Sequence, residues 1–485
     1  MKLKRLYKYW PLIILTLLGF ILRIYALNVQ SYWIDEAFSI NGALAILEHG
    51  KPLLDSGIMY SRAPLFHYPL AALIGIFGLN EFSTRIMSVL FGTAFIPLLY
   101  FFTLKIANKK VALTATAIWT FFSLGIAWSR QARMYMMLTF FFFLALLFLV
   151  KFSKTNTIKY GIYCSLATIG AILSHTQGYA LLLIYLIYLP VIYLNKPKKT
   201  IALIKNNIKA VSALILLALG IVWIKKNFII SVFSTQVDYF NEYIHYLSNE
   251  YFLLFYFALA SVLLLRRFQY AFLIAIAFIL PFYFVVFHHI AINLRYIFFI
   301  LPIVIIFASQ GIIFLIENLN KYRFGKIISV FVILCIAFSL FSAGTITLLP
   351  RAKYSLEPAT PQPDFKSAYN FVSENIRNNS TIISSYSPLA KIYLGKKPDY
   401  TFDISLSGHP DSMMSNKGNP NTEIYNNVTL VKNITTLEKA DFIIVDSMAA
   451  KRISPRIQNF LRNTTTSYKS ENIVVFKNLK KENNY

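Results

Sequence analysis

Two adjacent carboxylates, Asp35 and Glu36, follow Trp33 and Ile34 a few residues beyond an apolar stretch running from Trp10 to Leu27. A carboxylate in such a place could take the proton from an attacking hydroxyl. Equally, two acids in the first turn of a helix complement the positive end of its dipole. Position alone leaves both readings open. His175 stands singly at a helix end, where a polar interfacial role competes with binding of phosphate or acceptor. His288 and His289 are neighbours, and adjacent histidines on a helix cannot both chelate one ion comfortably. Cys164 and Cys335 both lie inside apolar runs and offer neither a disulfide framework nor metal-ligand spacing.

The elements that carry these residues follow from composition. Of 485 residues, 57% are hydrophobic and 14% charged, which is more apolar surface than one soluble core can bury. Lipid must solvate it. Stretches near the length of a bilayer core are predicted at 10–27, 82–104, 111–128, 134–150, 158–174, 178–194, 208–224, 250–265, 270–287, 296–316 and 327–349. The basic N-terminus and first apolar stretch resemble a signal peptide. The stretch is long for one, however, and no small-residue cleavage site follows, so it is read as a retained span. With the N-terminus in the cytoplasm, the inner gaps with their flanks (1–9, 105–110, 151–159, 195–209, 266–267 and 321–326) hold 20 Lys and Arg and the outer gaps only 7. That asymmetry sets the orientation. The formal charge of +26 is thus a matter of topology, and no nucleic-acid partner is implied.

The fold expected is a polytopic α-helical membrane protein of about eleven spans, placed in the plasma membrane. Residues 1–349 form the membrane module, and 350–485 a small extracytoplasmic α/β domain. The long outer gap 28–81 should carry the functional weight. There Ala37, Ile40, Leu44 and Leu47 recur at helical spacing, predicting a helix along the membrane surface that sits like a lid. A second outer segment, 225–249, reads as a mobile loop. In the C-terminal part, Phe365, Ala368, Val372 and Ile376 share a helical face, and 381–385, 441–446 and 472–476 read as short buried strands. Arg23, near the outer end of the first span, needs a buried partner, for which Asp35 or Glu36 is available. Phe140–Phe143 read as packing or lipid-facing groups.

The segment Tyr32-Trp33-Ile34-Asp35-Glu36-Ala37-Phe38 resembles the first-loop acidic motif of the C-superfamily of membrane glycosyltransferases, in particular the branch of protein O-mannosyltransferases and lipid A aminoarabinose transferases. Four further stretches match that branch in order: Arg62-Ala63-Pro64-Leu65-Phe66, Ser129-Arg130-Gln131-Ala132-Arg133-Met134-Tyr135, Ser174-His175, and Arg295-Tyr296 followed by Leu301-Pro302. The resemblance implies transfer of a sugar from a polyprenyl monophosphate to a hydroxyl of a lipid, glycan or protein, with inversion at the anomeric carbon. It makes Asp35 the general base. Glu36 would orient the acceptor or contact a metal. Arg62, Arg133 and Arg295 are candidates to meet the charge on the departing phosphate, with Tyr135, His175 and Tyr296 beside them in substrate binding.

Two departures stand out: Ala63 replaces the first of two prolines, and the second outer loop lacks the acid that some relatives carry there. The second puts a metal site built from these loops in doubt. A monophosphate leaving group demands less charge neutralisation than a diphosphate, and arginines can serve it. No cofactor is therefore required, and a divalent metal is compatible but not indicated. The competing readings are a transporter or flippase for a lipid-linked glycan and a non-catalytic scaffold. Transport usually places ionisable groups near mid-membrane, whereas here they cluster at outer helix ends.

Overall fold

The computed structural model describes residues 9–54, 57–60, 62–194, 234, 236–289, 292–342, 363–377, 379–402, 429–431, 434–470 and 472–477. Its helices, numbered among these residues, begin with α1 (Trp10–Ile24), α2 (Ile34–His49), α3 (Pro64–Phe77), α4 (Glu81–Ile106), α5 (Lys109–Phe121), α6 (Ser123–Ser129), α7 (Tyr135–Thr155) and α8 (Ile158–Ser174). They continue with α9 (Ala180–Leu194), α10 (Phe240–Glu250), α11 (Phe252–Ala260), α12 (Ala271–His288), α13 (Leu301–Leu319) and α14 (Gly325–Ser342).

Among the described residues, five helices are long and apolar enough to cross a membrane, or seven if each of two bent pairs counts as one span. The bent pairs are α5 with α6 (58°) and α10 with Phe252–Arg267 (110°). Trp10–Ile24, Pro64–Phe77, Ile158–Ser174 and Gly325–Leu340 are shorter apolar helices. The protein is thus a multi-pass membrane protein. The span expected at 208–224 lies outside the described residues, as does most of 225–235. From residue 236 the expected mobile loop is structured instead. Val237 and Tyr239 donate backbone hydrogen bonds to Phe287 and Val286, and α10 follows.

Polar side chains survive inside these helices by turning back on their own backbone. Thr116 bonds Ala112 O at 2.7 Å, Thr139 bonds Tyr135 O at 2.8 Å and Ser309 bonds Ile305 O at 2.7 Å. Asn156, with φ 52°, ends α7 and lets α8 return two residues later.

The described chain divides into two compact units: residues 1–23, 88–129 and 134–346, and residues 24–87, 130–133 and 347–485. The division differs from a single boundary at 349/350, because residues 24–87 and 130–133 group with the C-terminal segment.

In the first unit, Trp119 packs among Phe95, Phe122 and Phe298, with ring centroids 5.0–5.9 Å apart. Phe142 and Phe143 are fully buried, Phe142 against Phe299. Arg23 Nε donates to Ser129 Oγ (3.1 Å) and its Nη1 to the carbonyls of Gly19 (3.0 Å) and Thr120 (3.4 Å). A Cβ at Gly92 would lie 2.1 Å from Ser129 Oγ and 3.2 Å from Arg23 Nε. Gly92→Ala is therefore expected to displace Ser129 from Arg23 and cost about 1–3 kcal/mol, read as an earlier thermal transition of the purified protein.

The C-terminal part of the second unit is a six-stranded sheet with helices α15 (Phe365–Asn375), α16 (Ser387–Leu394), α17 (Ile434–Lys439), α18 (Ser447–Arg452) and α19 (Pro455–Arg462). Its strands are β1 (Ile382–Ser384), β2 (Tyr400–Thr401), β3 (Thr429–Leu430), β4 (Phe442–Asp446), β5 (Thr466–Ser470) and β6 (Ile473–Lys477), in the order β3-β2-β1-β4-β6-β5. The first four in that order pair in parallel, and β6 and β5 complete the sheet antiparallel. Phe365, Ala368, Tyr369 and Val372 bury one face of α15.

Candidate active site

Asp35 and Glu36 occupy the first turn of α2. Consecutive helical residues point about 100° apart, and the two carboxylates meet different surroundings. Glu36 is 1% exposed. Its Oε1 accepts from Arg85 Nε (2.8 Å) and the Ala132 N–H (2.7 Å), and its Oε2 from Arg85 Nη2 (2.9 Å) and the Trp33 N–H (2.9 Å). Arg85 spends its remaining donors on the carbonyls of Leu27, Gln30 and Ser31, at 2.8–3.0 Å. An ion pair withdrawn from water is tolerable when its other hydrogen-bonding capacity is met in this way. Glu36, expected to orient an acceptor or contact a metal, is instead occupied on both oxygens and serves as the joint of the first loop.

Asp35 faces outward, with its side chain 23% exposed and Oδ2 at 3.8 Å from Arg133 Nη2. Arg133 is buried and donates Nη1 to the backbone carbonyl of Asp35 (2.9 Å) and to Ser39 Oγ (2.8 Å). Residues 130–133 as a whole strap onto the first loop. Arg130 donates to the carbonyls of Tyr25 and Ala26, and Ala132 donates to Glu36. Arg130, which sequence reasoning did not single out, holds backbone through these two carbonyls. α2 is not a surface lid. Glu36, Ala37, Ser39, Ile40, Gly42, Ala43 and Ala45 are all buried, which closes most of its circumference.

Arg62 is exposed and lies two residues before Pro64, the first residue of α3. Between them Ala63 adopts φ 48°. Proline is locked near −65° and cannot make this turn, which accounts physically for alanine at the position where the resemblance expects proline. On α3, His67 is fully buried with its ring 5.1 Å from that of Tyr60. Burial, aided by the nearby Arg133 charge, holds its pKa down to about 3. Below about pH 6.5 the unfolded chain takes up a proton that the folded imidazole refuses. Stability should therefore fall as the pH drops from about 6.5 toward 3, by up to about 1.4 kcal/mol per unit. Comparing thermal transitions of wild type and His67→Phe at pH 7 and pH 5 checks this, the variant losing less.

In the other unit, four further site candidates form a connected chain. Tyr135 opens α7 with its ring 4.6 Å from Trp128 and 5.5 Å from His175. His175 Nδ1 accepts from the Gln177 N–H (3.2 Å), and Gln177 Nε2 donates to the Tyr296 carbonyl (2.6 Å). Arg295 lies over the Tyr296 ring, 5.0 Å from its centroid, and donates Nη2 to its hydroxyl (3.1 Å). Tyr243 of α10 pins the turn by accepting from the Asn293 N–H (3.1 Å) and donating to its carbonyl (2.9 Å).

Residues 61–225 match the family model described as dolichyl-phosphate-mannose-protein mannosyltransferase. The structure is similar to that of ArnT from Cupriavidus metallidurans bound to undecaprenyl phosphate, with TM-score 0.61 and 12% identity over 96% of this chain and 97% of that one. It is also similar to AglB, the archaeal oligosaccharyltransferase from Archaeoglobus fulgidus, in complex with an inhibitory peptide and a dolichol-phosphate. That likeness has TM-score 0.57 and 13% identity over 92% of this chain and 71% of that one. The fold is that of the GT-C glycosyltransferases. No curated protein matches the chain in sequence.

Within this GT-C fold, Arg85, Ser39 and His67 are the neighbours of the acidic motif that sequence reasoning missed. Arg85 carried a usable signal: a charged residue inside an apolar run needs a buried partner, and Glu36 supplies one. Ser39 and His67 carried none. Among the described residues, no group of three or more His, Cys, Asp or Glu is placed to hold a metal ion.

Proposed function

We propose that the protein is an inverting glycosyltransferase that moves a sugar from a polyprenyl monophosphate to a hydroxyl on the outer face of the plasma membrane. The observation that carries the proposal is Asp35: a partly exposed carboxylate in a helix's first turn, 3.8 Å from an arginine that also grips its backbone. The family match and the likeness to two polyprenyl-phosphate-bound structures support the donor class. Asp35 removes the proton from the acceptor hydroxyl as its oxygen attacks the anomeric carbon. The bond from that carbon to the phosphate oxygen breaks, and polyprenyl phosphate departs with the electron pair. Arg62, Arg133 and Arg295 meet the charge it gains, and Tyr135, His175 and Tyr296 contribute to holding donor and acceptor. Glu36 acts through Arg85 and the backbone rather than on substrate. Cofactors are not needed for these steps.

In the same proposal the chain has eleven spans, a cytoplasmic N-terminus and an extracytoplasmic C-terminal domain, with a lipid, glycan or protein as acceptor. The test is incubation of the purified protein in lipid nanodiscs with polyprenyl-phosphate mannose and with other polyprenyl-phosphate sugars. Cleavage of a glycosidic bond and accumulation of polyprenyl phosphate is the expected result. Recovery of every donor intact, with movement across a vesicle membrane instead, would make the protein a transporter.

A further inference from the structure

The segment just before Asp35 is gripped from two sides. On one side Arg85 holds the carbonyls of Leu27, Gln30 and Ser31. On the other, the C-terminal part of the same unit makes a set of contacts that the glycosyltransferase reading leaves unused. The Tyr393 hydroxyl accepts from the Tyr32 N–H (2.8 Å) and donates to Glu81 Oε1 (3.2 Å). Lys366 Nζ donates to Glu81 Oε2 and to the Asn28 carbonyl, both at 3.0 Å. Ser31 Oγ donates to Asp364 Oδ1 and accepts from the Lys366 N–H, again at 3.0 Å each. Asn41 reaches the Pro388 carbonyl at 3.1 Å. The Tyr32 and Tyr393 rings lie 5.6 Å apart, and Tyr369 stacks on Tyr393 at 5.8 Å.

Two features make Tyr393 the centre of this arrangement. It ties a C-terminal helix both to the backbone three residues before Asp35 and to Glu81 at the start of α4. Burial also raises the pKa of its hydroxyl well above the ordinary value, so it keeps the proton that it gives to Glu81.

We propose that the C-terminal domain is the positioning element of the reaction, clamping residues 28–41 so that the Asp35 carboxylate is held in its reactive place, with Tyr393 as the principal positioning residue and Lys366 as the second. This rests on the reading of Asp35 as general base. A reacting group displaced by about 1 Å can lose on the order of 10²-fold in rate, which gives such a clamp its leverage without any contact to substrate.

The experiment is hydrogen exchange on the full-length protein in nanodiscs, comparing wild type with Tyr393→Phe and Lys366→Met. Removing a clamp should raise local opening. The expected result is exchange at least tenfold faster at the amides of Tyr32–Ile40, with the strand amides of Phe442–Asp446 unchanged. Turnover should fall tenfold or more, while the Kd for undecaprenyl phosphate stays within twofold. Lys366 is one-third exposed, so its replacement tests the clamp even where Tyr393→Phe loosens the whole domain. Unchanged protection of Tyr32–Ile40 in Lys366→Met overturns the proposal, as does turnover that survives loss of that protection. If wild-type protein cleaves no polyprenyl-phosphate sugar, the glycosyltransferase reading fails, and with it the positioning role, whatever the exchange data show about the clamp itself.

Discussion

Asp35→Asn is expected to lower turnover by about 10²–10⁴-fold, the usual worth of general-base assistance, while leaving a folded protein. The change is nearly isosteric and removes only the charge and the proton-accepting capacity. Little stability depends on that charge. At 3.8 Å and 23% exposure, the Asp35–Arg133 ion pair is long and partly solvated, and such pairs contribute about 0–1 kcal/mol. Arg133 itself stays in place, because its closer hydrogen bonds go to the Asp35 backbone carbonyl and to Ser39, neither of which the substitution alters. The two functions assigned to this corner are therefore separable. Sugar transfer should collapse, while undecaprenyl phosphate should bind as tightly as before or more so, since a negative charge beside Arg133 has gone. Turnover equal to wild type would remove Asp35 from the chemistry and return the acidic pair to a helix-dipole role.

Much of this organisation was legible in the sequence because bilayers impose simple rules. Apolar runs of the right length marked α4, α7, α12 and α13, and α15, β1, β4 and β6 followed from period and burial pattern. What escaped were contacts joining residues far apart in the chain. β2 and β3 are two residues long, and β5, Thr466–Ser470, is polar and partly exposed. None of the three has a hydrophobic signature to read. The acidic motif illustrates the same limit at one site. Helical geometry said that Asp35 and Glu36 could not share a task, but which of them faces inward depends on Arg85, Ala132 and Trp33, and only the fold brings those three to one carboxylate. Likewise, the grouping of 24–87 with the C-terminal segment depends on Ser31, Tyr32 and Asn41 finding Asp364, Tyr393 and Pro388, partners more than 300 positions away.

Glu36→Gln should be the most damaging single change to stability, at about 3–5 kcal/mol, because it leaves the buried Arg85 without its counter-charge. The new amide nitrogen would also present donors to donors, whichever way it turns. In many proteins such a loss is offset by replacing both partners with apolar residues, since the desolvation cost of the pair disappears with it. Here that remedy should fail. Beyond bonding each other, Glu36 and Arg85 satisfy the carbonyls of Leu27, Gln30 and Ser31 and the N–H groups of Trp33 and Ala132. Methionines at both positions would leave these backbone groups without their present partners, and a buried unsatisfied group costs about 1–3 kcal/mol. The double variant Glu36→Met/Arg85→Met is therefore expected to be no more stable than either single variant, as measured by thermal transition of the purified protein in one detergent. A double variant that recovers wild-type stability would show that the pair is an ordinary buried ion pair. A double variant that stays low would show that the two side chains are a substitute backbone, around which the first loop and the 130–133 strap are built and on which the placement of Asp35 depends.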